Sequence, residues 1–560
     1  MNTKLWQQYE EGLTYQRQMG FRENFPKFIR FKEGDQWPAP TIRTRNLPRP
    51  VFNIVEMFIR TKRASVLSQP VRMTFFPGQV EAARRAEAEQ AAQDLTDYAQ
   101  QLWDRTEQDT LNSEMVDDAA TLGTGILHYY FDPTACSAGP YPDAGEIRGE
   151  SIDPLNIVFG NPQERDVQKQ PYLLIASRRS VREVREMARQ YGVSQAQIDS
   201  IGREEATQSE EYDAARMELR GEDRCTLLTR YYRKNGVVYF DRAVRSTDLV
   251  HGVCLSPKGR TPITLYPVVV MPWKPRKKCI FGIGEAEGLL PNQKAINFNL
   301  AMMLLSVQQT AWPKLLSTPG AIKQPVTNEP GEHLIDYSAG GSGIRYLNPP
   351  AFGATAMNLS TIILELSRTI AGVSEVSTGE MTGTNMAASA IIALQTQAKA
   401  PIQEIQRRYW NVIRQIGRIW LELIRTYYVL ERSISVRKNG ETETRTFRGS
   451  SYGGMDFDLT VDAGPSNEYG EVISQSVLDR FLDQGYITFD QYIELAPDGV
   501  IPFREKLRQL RAGEAVSENH SDSAAQEEGP SVHAVYPAGV EGVSLPGVLR
   551  LERGGKKESR

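Results

Sequence analysis

The sequence predicts an α+β fold, predominantly helical and divided among more than one domain. Three observations carry that expectation. At 560 residues the chain is too long for a single hydrophobic core. Apolar residues recur at steps of three and four over several long stretches, the period of amphipathic helices. Between those stretches lie short apolar runs and Asn-Gly turns, the signals of strands and hairpins.

Residues 1 to about 75 hold aromatic and charged residues separated by turn signals, Phe31-Lys32-Glu33-Gly34-Asp35-Gln36-Trp37-Pro38 and then Arg49-Pro50-Val51-Phe52-Asn53. After Asn53 the helical spacing Ile54, Met57, Phe58 begins. Residues 80–122 read as two helices rich in Ala, Glu, Gln and Arg, with Leu95, Tyr98, Ala99 and Leu102 as the buried stripe. Gly123-Thr124-Gly125 stops them, and 126–131 reads as a strand. Further strands are expected at 157–159, 172–177 and 266–273, with a hairpin at Asn235-Gly236. A helix from Ser180 has Ser180 as its N-cap and Glu183 at the capping-box position. The charged stretch 203–223 reads as a surface insertion.

Residues 283–310 predict a helix carrying Leu289, Leu290, Ile296, Leu300, Leu304 and Val307. Prolines and glycines then crowd 311–353, a loop-rich module with only short strands. A second helix is expected at 355–371, a small-residue loop after Gly372, and the longest helix over 387–429, kinked at Pro401. Its stripe is Ile402, Ile405, Tyr409, Val412, Ile416, Ile419, Leu423 and Tyr427. A hairpin at Asn439-Gly440 with one more strand fills 434–463, helices are expected over 466–512, and the polar composition after Gly513 predicts a disordered tail.

Composition narrows the function. The chain is 40% hydrophobic and 24% charged, ordinary values for a globular protein. No apolar run reaches the roughly 18 residues that cross a bilayer, so no membrane partner is expected. The opening Trp6 to Glu11 is not a signal peptide, which predicts cytosolic synthesis. The four cysteines, Cys136, Cys225, Cys254 and Cys279, form no CxxC pair and read as reduced thiols. A net charge of −4 argues against tight phosphate binding, since proteins that grip DNA are normally basic. No catalytic signature emerges. There is no phosphate loop, and Gly123-Thr124-Gly125 lacks a later glycine and precedes a strand instead of following one. Gly340-Gly341-Ser342-Gly343 is not a nucleophile elbow, and the five histidines make no HExxH. His128 reads as a satisfied sheet histidine. The expectation is a protein that is not an enzyme and needs no cofactor or metal.

The order of elements is the informative feature: mixed domain, helix, Pro/Gly-rich module, returning helix, small-residue loop, very long helix. With it go Phe31 to Trp37, Pro50-Val51-Phe52-Asn53, Ala119 to Gly125, Ile152 to Phe159, Gly282-Ile283-Gly284-Glu285-Ala286-Glu287-Gly288-Leu289 and Gly372-Val373-Ser374. In these stretches, over about 20–510, the chain resembles the portal proteins of tailed bacteriophages, especially the short-tailed type. The resemblance implies a homo-oligomeric ring, usually of twelve, at one capsid vertex, through which double-stranded DNA is packaged and ejected. Its partners would be the terminase ATPase, the major capsid and scaffolding proteins, and the head-completion or tail adaptor proteins. It would work in the virion after assembly in the bacterial host cytoplasm.

The family's parts map as a wing (1–282, rejoined by 431–465), stem helices (283–310 and 354–371), a clip (311–353) and a tunnel loop (372–386). The long kinked helix (387–430), crown helices (466–512) and tail (513–560) complete the chain. In the loop, Ser374, Ser377, Thr378, Thr382, Thr384 and Asn385 would offer DNA a sliding surface, with Glu375 and Glu380 repelling phosphate. Arg276, Lys277 and Lys278 are candidates for a basic belt, and Trp312, Lys314 and Lys323 for tail docking. The competing readings are another minor capsid or collar protein, which would form no closed channel alone, and a DNA-processing enzyme, which would hydrolyse ATP or DNA.

Overall fold

A computed structural model describes residues 4–495 apart from position 43 and the segments 136–144, 205–222, 312–313, 327–334, 348–353, 374–399, 439–440 and 464–476, with positions 324, 339 and 341–342. Helix exceeds strand, and the fold is α+β.

The N-terminus corrects the sequence reading. Where turns and scattered aromatics were expected, helices α1 (Lys4–Gln18) and α2 (Phe21–Lys32) precede α3 (Ile54–Val66). Their apolar residues do follow a helical step: Leu5, Trp6, Tyr9 and Leu13 are buried in α1, and Phe21, Phe25 and Phe28 in α2. Charged neighbours and Pro26, which lacks a donor inside α2, mask that step. Asn53 caps α3, its Oδ1 accepting from Glu56 N at 3.1 Å.

Strand β1 (Val71–Pro77), helices α4 (Arg85–Arg105) and α5 (Gln108–Leu122), and strands β2 (Thr124–Asp132) and β3 (Glu146–Ser151) follow. The expected stripe Leu95, Tyr98, Ala99 and Leu102 is buried. Gly123, with φ 98°, ends α5. Next come β4 (Ile157–Phe159), β5 (Tyr172–Ser180), α6 (Val181–Gln190), α7 (Gln195–Asp199), β6 (Arg224–Lys234), β7 (Val237–Ala243), β8 (Asp248–Cys254) and β9 (Val268–Pro272). Ser180 Oγ accepts from Glu183 N at 3.2 Å, as its capping pattern predicts. Lys234 pairs with Val237 across Asn235 (φ 51°) and Gly236 (φ 80°), a two-residue hairpin turn with both centres left-handed.

The strands form an antiparallel five-stranded sheet, β4-β5-β6-β7-β8, and a three-stranded one, β3-β2-β9. Helix α1 covers the larger sheet through a small core of Trp6, Tyr9, Leu13, Val158, Leu174 and Leu228. His128 joins the two sheets: Nδ1 lies 2.8 Å from Glu150 Oε1 and Nε2 3.0 Å from the Tyr231 hydroxyl.

The second half holds α8 (Glu285–Ala311), β10 (Lys314–Ser317), β11 (Ile344–Leu347), α9 (Ala354–Ala371), α10 (Ala400–Tyr427), β12 (Arg432–Lys438), β13 (Glu441–Phe447), β14 (Phe457–Ala463) and α11 (Phe489–Leu495). Strand β14 returns across almost the whole chain to pair with β1. The core centres on α10, where fully buried Trp420 meets Trp103 and Tyr129 edge-to-face, with centroids 6.3 and 5.9 Å apart. Pro401 is the second residue of the described part of α10. The expected earlier part, 387–399, lies outside the described residues.

Candidate functional site

Helix α8 is fixed at its start and bare toward its end. It begins where three glycines pack backbone to backbone. A Cβ on Gly282 would fall 2.3 Å from Gly123 O, and one on Gly284 2.5 Å from Thr121 O, so only glycine fits. Trp273 N donates to Gly123 O at 2.9 Å, and Gly282 N to Thr124 Oγ1 at 2.9 Å.

Glu285 opens the helix and is buried. It accepts from Lys62 Nζ at 2.6 Å, Trp273 Nε1 at 2.8 Å and Lys274 Nζ at 3.0 Å. Burial pushes its carboxyl up, but Lys62 and Lys274 outweigh that and hold it below the ordinary carboxylate range. Burial holds Lys62 below the usual lysine range against the attraction of Glu285. A carboxylate here also complements the positive end of the helix.

Two turns on, Gln293 Oε1 accepts from Ile54 N (2.8 Å) and Val55 N (3.3 Å), giving a partner to buried backbone donors at the start of α3. Its Nε2 donates to Phe52 O and to Asn297 Oδ1, at 2.8 and 2.9 Å. Asn297 Nδ2 passes the chain of bonds to Gln36 Oε1 at 2.6 Å. This ladder locks the first half of α8 to the start of α3 and to the turn that follows α2.

Helix α9 runs antiparallel beside α8. Asn292 Nδ2 donates to Ser367 Oγ (3.0 Å) and Asn299 Nδ2 to Ser360 Oγ (2.6 Å). Ser367 Oγ donates onward to Ile363 O at 2.6 Å. Both asparagines and both serines are spaced two turns apart, so the pair is pinned in one register. Beyond these pins the apolar residues face water. Phe298, Leu304 and Val307 (64% exposed) are bare on α8. On α9, Leu359, Ile362, Leu366 and Ile370 (68% exposed) form a bare ridge with exposed Glu365 between its middle members. A large unpartnered apolar ridge is the mark of an interaction surface.

The far end of the pair carries the small β10–β11 hairpin, with Leu315 opposite Tyr346. At the near end, α9 closes with buried Ala371 and Val373. A Cβ on Gly372 would meet Pro401 at 3.4 Å, so the chain departs after Val373 and returns at Ala400 to the same place.

The loop candidates Ser374, Glu375, Ser377, Thr378, Glu380, Thr382, Thr384 and Asn385 lie outside the described residues, as does Trp312. Arg276 is half-buried and ion-paired with Glu287 in the first turn of α8 at 3.1 Å, while its carbonyl accepts from Arg165. Lys277 and Lys278 are exposed beside it, Lys278 with φ 50°. Lys314 is exposed on β10, far along the chain from that triplet, and Lys323 Nζ sits 4.6 Å over the Tyr337 ring. Among the described residues no hydrogen bond or ion pair joins Lys314 or Lys323 to the Arg276–Lys278 triplet. Sequence reasoning missed Lys62, Glu285, Gln293, Asn297 and the Asn–Ser pins. The seven-residue repeat of Asn292 and Asn299 against Ser360 and Ser367 was a signal available to it.

Among the described residues no group of three or more His, Cys, Asp or Glu is placed to hold a metal ion. No described helix is long and apolar enough to cross a membrane.

No curated protein matches the chain. A protein-family model described as "Phage P22-like portal protein" matches residues 6–468, from the first turn of α1 past the end of β14. That match covers most of the sequence and spans the glycine-anchored helix, its antiparallel partner and α10 alike. The chain therefore belongs to the phage P22-like portal protein family, and its function is that of a phage portal protein.

Proposed function

We propose that this chain closes into a ring, twelve copies around one capsid vertex, and that double-stranded DNA enters and leaves the head through the central hole. The observation that carries the reading is the bare apolar ridge on the α8–α9 pair. A ring repeats one head-to-tail contact, so every subunit must expose a surface that only a neighbour covers. In this reading α8 and α9 are the stem, 311–353 the clip, 1–282 with 431–465 the wing, and 466–512 the crown. The 372–386 segment is the tunnel loop. The common point of departure at Val373 and return at Ala400 supports such an excursion, whose Ser, Thr and Glu residues suit a polyanion that must slide and not stick.

The role is structural. The work of packaging belongs to a terminase ATPase docked on the ring, and the other partners are capsid, scaffolding and head-completion proteins. Lys277 and Lys278, with Arg276 held by Glu287, repeat around the ring as a basic belt, and Trp312, Lys314 and Lys323 serve the tail-side joint. Assembly takes place in the host cytoplasm.

Light scattering combined with negative-stain imaging of one purified peak tests the ring. The expected particle has about twelve times the 62.9 kDa subunit mass and a central hole. A discrete dimer or tetramer without a channel sinks the reading.

A further inference from the structure

Helix α8 has two working flanks. One carries Asn292 and Asn299 and holds α9. At about 100° per residue, Lys294 lies roughly half a circle from Asn292. That opposite flank opens into a groove of about 490 Å³ between α8, α2 and the 35–38 turn. Its apolar walls are Phe31, Trp37 and Phe298, and Lys27 and Lys294 stand exposed on its rim. Lys294 Nζ lies 5.5 Å over the Phe31 ring, and Arg30 is occupied by Asp35 at 2.7 Å. Among the described residues neither Lys27 nor Lys294 has an ion-pair partner.

The ridge on α9 is the complement of this groove. It offers aliphatic side chains, Ile362 and Leu366, one turn apart, with Glu365 beside them. Helix-in-groove recognition needs an apolar ridge, an aromatic-lined slot and matched charges at the rim. Both halves occur on this chain, on opposite sides of α8, so neither can satisfy the other within one subunit. A protein with a ridge on one flank and its matching slot on the other associates head to tail, the type of contact that forms a ring when its rotation closes. DNA is a poor occupant of the ridge, because four bare aliphatic side chains offer phosphate nothing.

We propose that the α9 ridge of one subunit, around Ile362, Glu365 and Leu366, seats in the α2–α8 groove of its neighbour, with Glu365 set against Lys27 and Lys294. This contact rests on the ring reading above and specifies which surfaces form it. It also explains why the first half of α8 is held so tightly by Glu285 and Gln293: the slot wall must be rigid before the neighbour arrives.

A charge swap tests it in the full-length chain. Glu365→Lys, and separately Lys27→Glu with Lys294→Glu, place like charges across the seat. Each is expected to lower the ring fraction at least tenfold by light scattering, with an unchanged circular dichroism spectrum and melting temperature. The three substitutions together in one chain restore opposite charges and are expected to recover the rings. Reversed variants that assemble like the parent, or a triple variant that fails to recover, overturn the contact while leaving the ring itself standing. A parent chain that forms no ring removes the ring reading and this contact with it. Should a reversal lower the melting temperature, Glu365→Gln and Lys294→Gln take its place, with a smaller loss of rings expected and no loss counting against the contact.

Discussion

The described parts of helices α8 and α10 are nearly equal in length, 27 and 28 residues, yet their apolar residues meet opposite fates. In α10 almost every apolar residue at the expected steps of three and four is buried, from Ile402 through Ile416 to Leu423. In α8 burial is confined mainly to the first half, and beyond Ala301 no residue is buried. The difference lies in what surrounds each helix. Helix α10 lies among α3, β1, β2, β9 and β14, so its apolar face completes the core of the subunit. Helix α8 packs on α2, α3 and α5 through its first turns, and among the described helices it continues beside α9. Two helices cannot bury each other's full circumference. One long helix therefore gives its apolar face to the subunit core, and the other leaves much of its own in water.

That contrast can be broken from either side. The largest effect belongs to the core helix: Trp420→Ala should cost about 3–5 kcal/mol of subunit stability, since a fully buried ring packed against Trp103 and Tyr129 is removed. Urea unfolding of the monomer measures it, and a loss under 1 kcal/mol would contradict the central place given to α10.

Next comes the root of α8. Glu285→Gln strands Lys62 in a buried site and should cost about 3 kcal/mol in the same assay. The wild-type carboxylate is held below its unfolded value, so its contribution is present above pH of about 4.3 and fades as pH falls through the lower folded value. The gap between parent and variant should accordingly narrow in acid. A gap independent of pH would mean that the cluster acts by packing and not by charge.

Removing a pin is milder. Ser367→Ala takes away the acceptor of Asn292 and should cost about 1 kcal/mol. The smallest effect on the subunit, and the sharpest for the comparison, is expected at the bare apolar residues of α8 and of the α9 ridge. Val307→Ser or Ile370→Ser should change monomer stability by no more than about 0.5 kcal/mol, because both side chains are already in water. A clear loss of monomer stability at either would show that these residues belong to the subunit core after all.

Much of the architecture was legible in local sequence. The Ser180 cap, the Asn235-Gly236 turn, the Gly123 stop, the helices α8 and α9 and the stripes of α4 and α10 each depend on a few neighbouring residues, and each lies where expected among the described residues. Helices α1 and α2 were not read, because their few buried aromatics sit among charges and Pro26, and their helical state is fixed by packing against β4, β6, α5 and α8. The site was less legible still. Neither the Lys62–Glu285 pair nor the Gln293 and Asn297 ladder has a local signature, since their partners lie more than 200 residues away.

By itself, then, the sequence determined where helices and hairpins form, the order in which they follow one another, and with that order the resemblance to portal proteins. A period of apolar residues states that one face of a helix avoids water; it does not state what will cover that face. Only the tertiary structure decided that α10 is covered by its own subunit, that α8 is rooted by a buried carboxylate and then runs bare, and that the ridge and the groove lie on opposite flanks. Those outcomes depend on contacts between distant parts of the chain, and no local pattern encodes them.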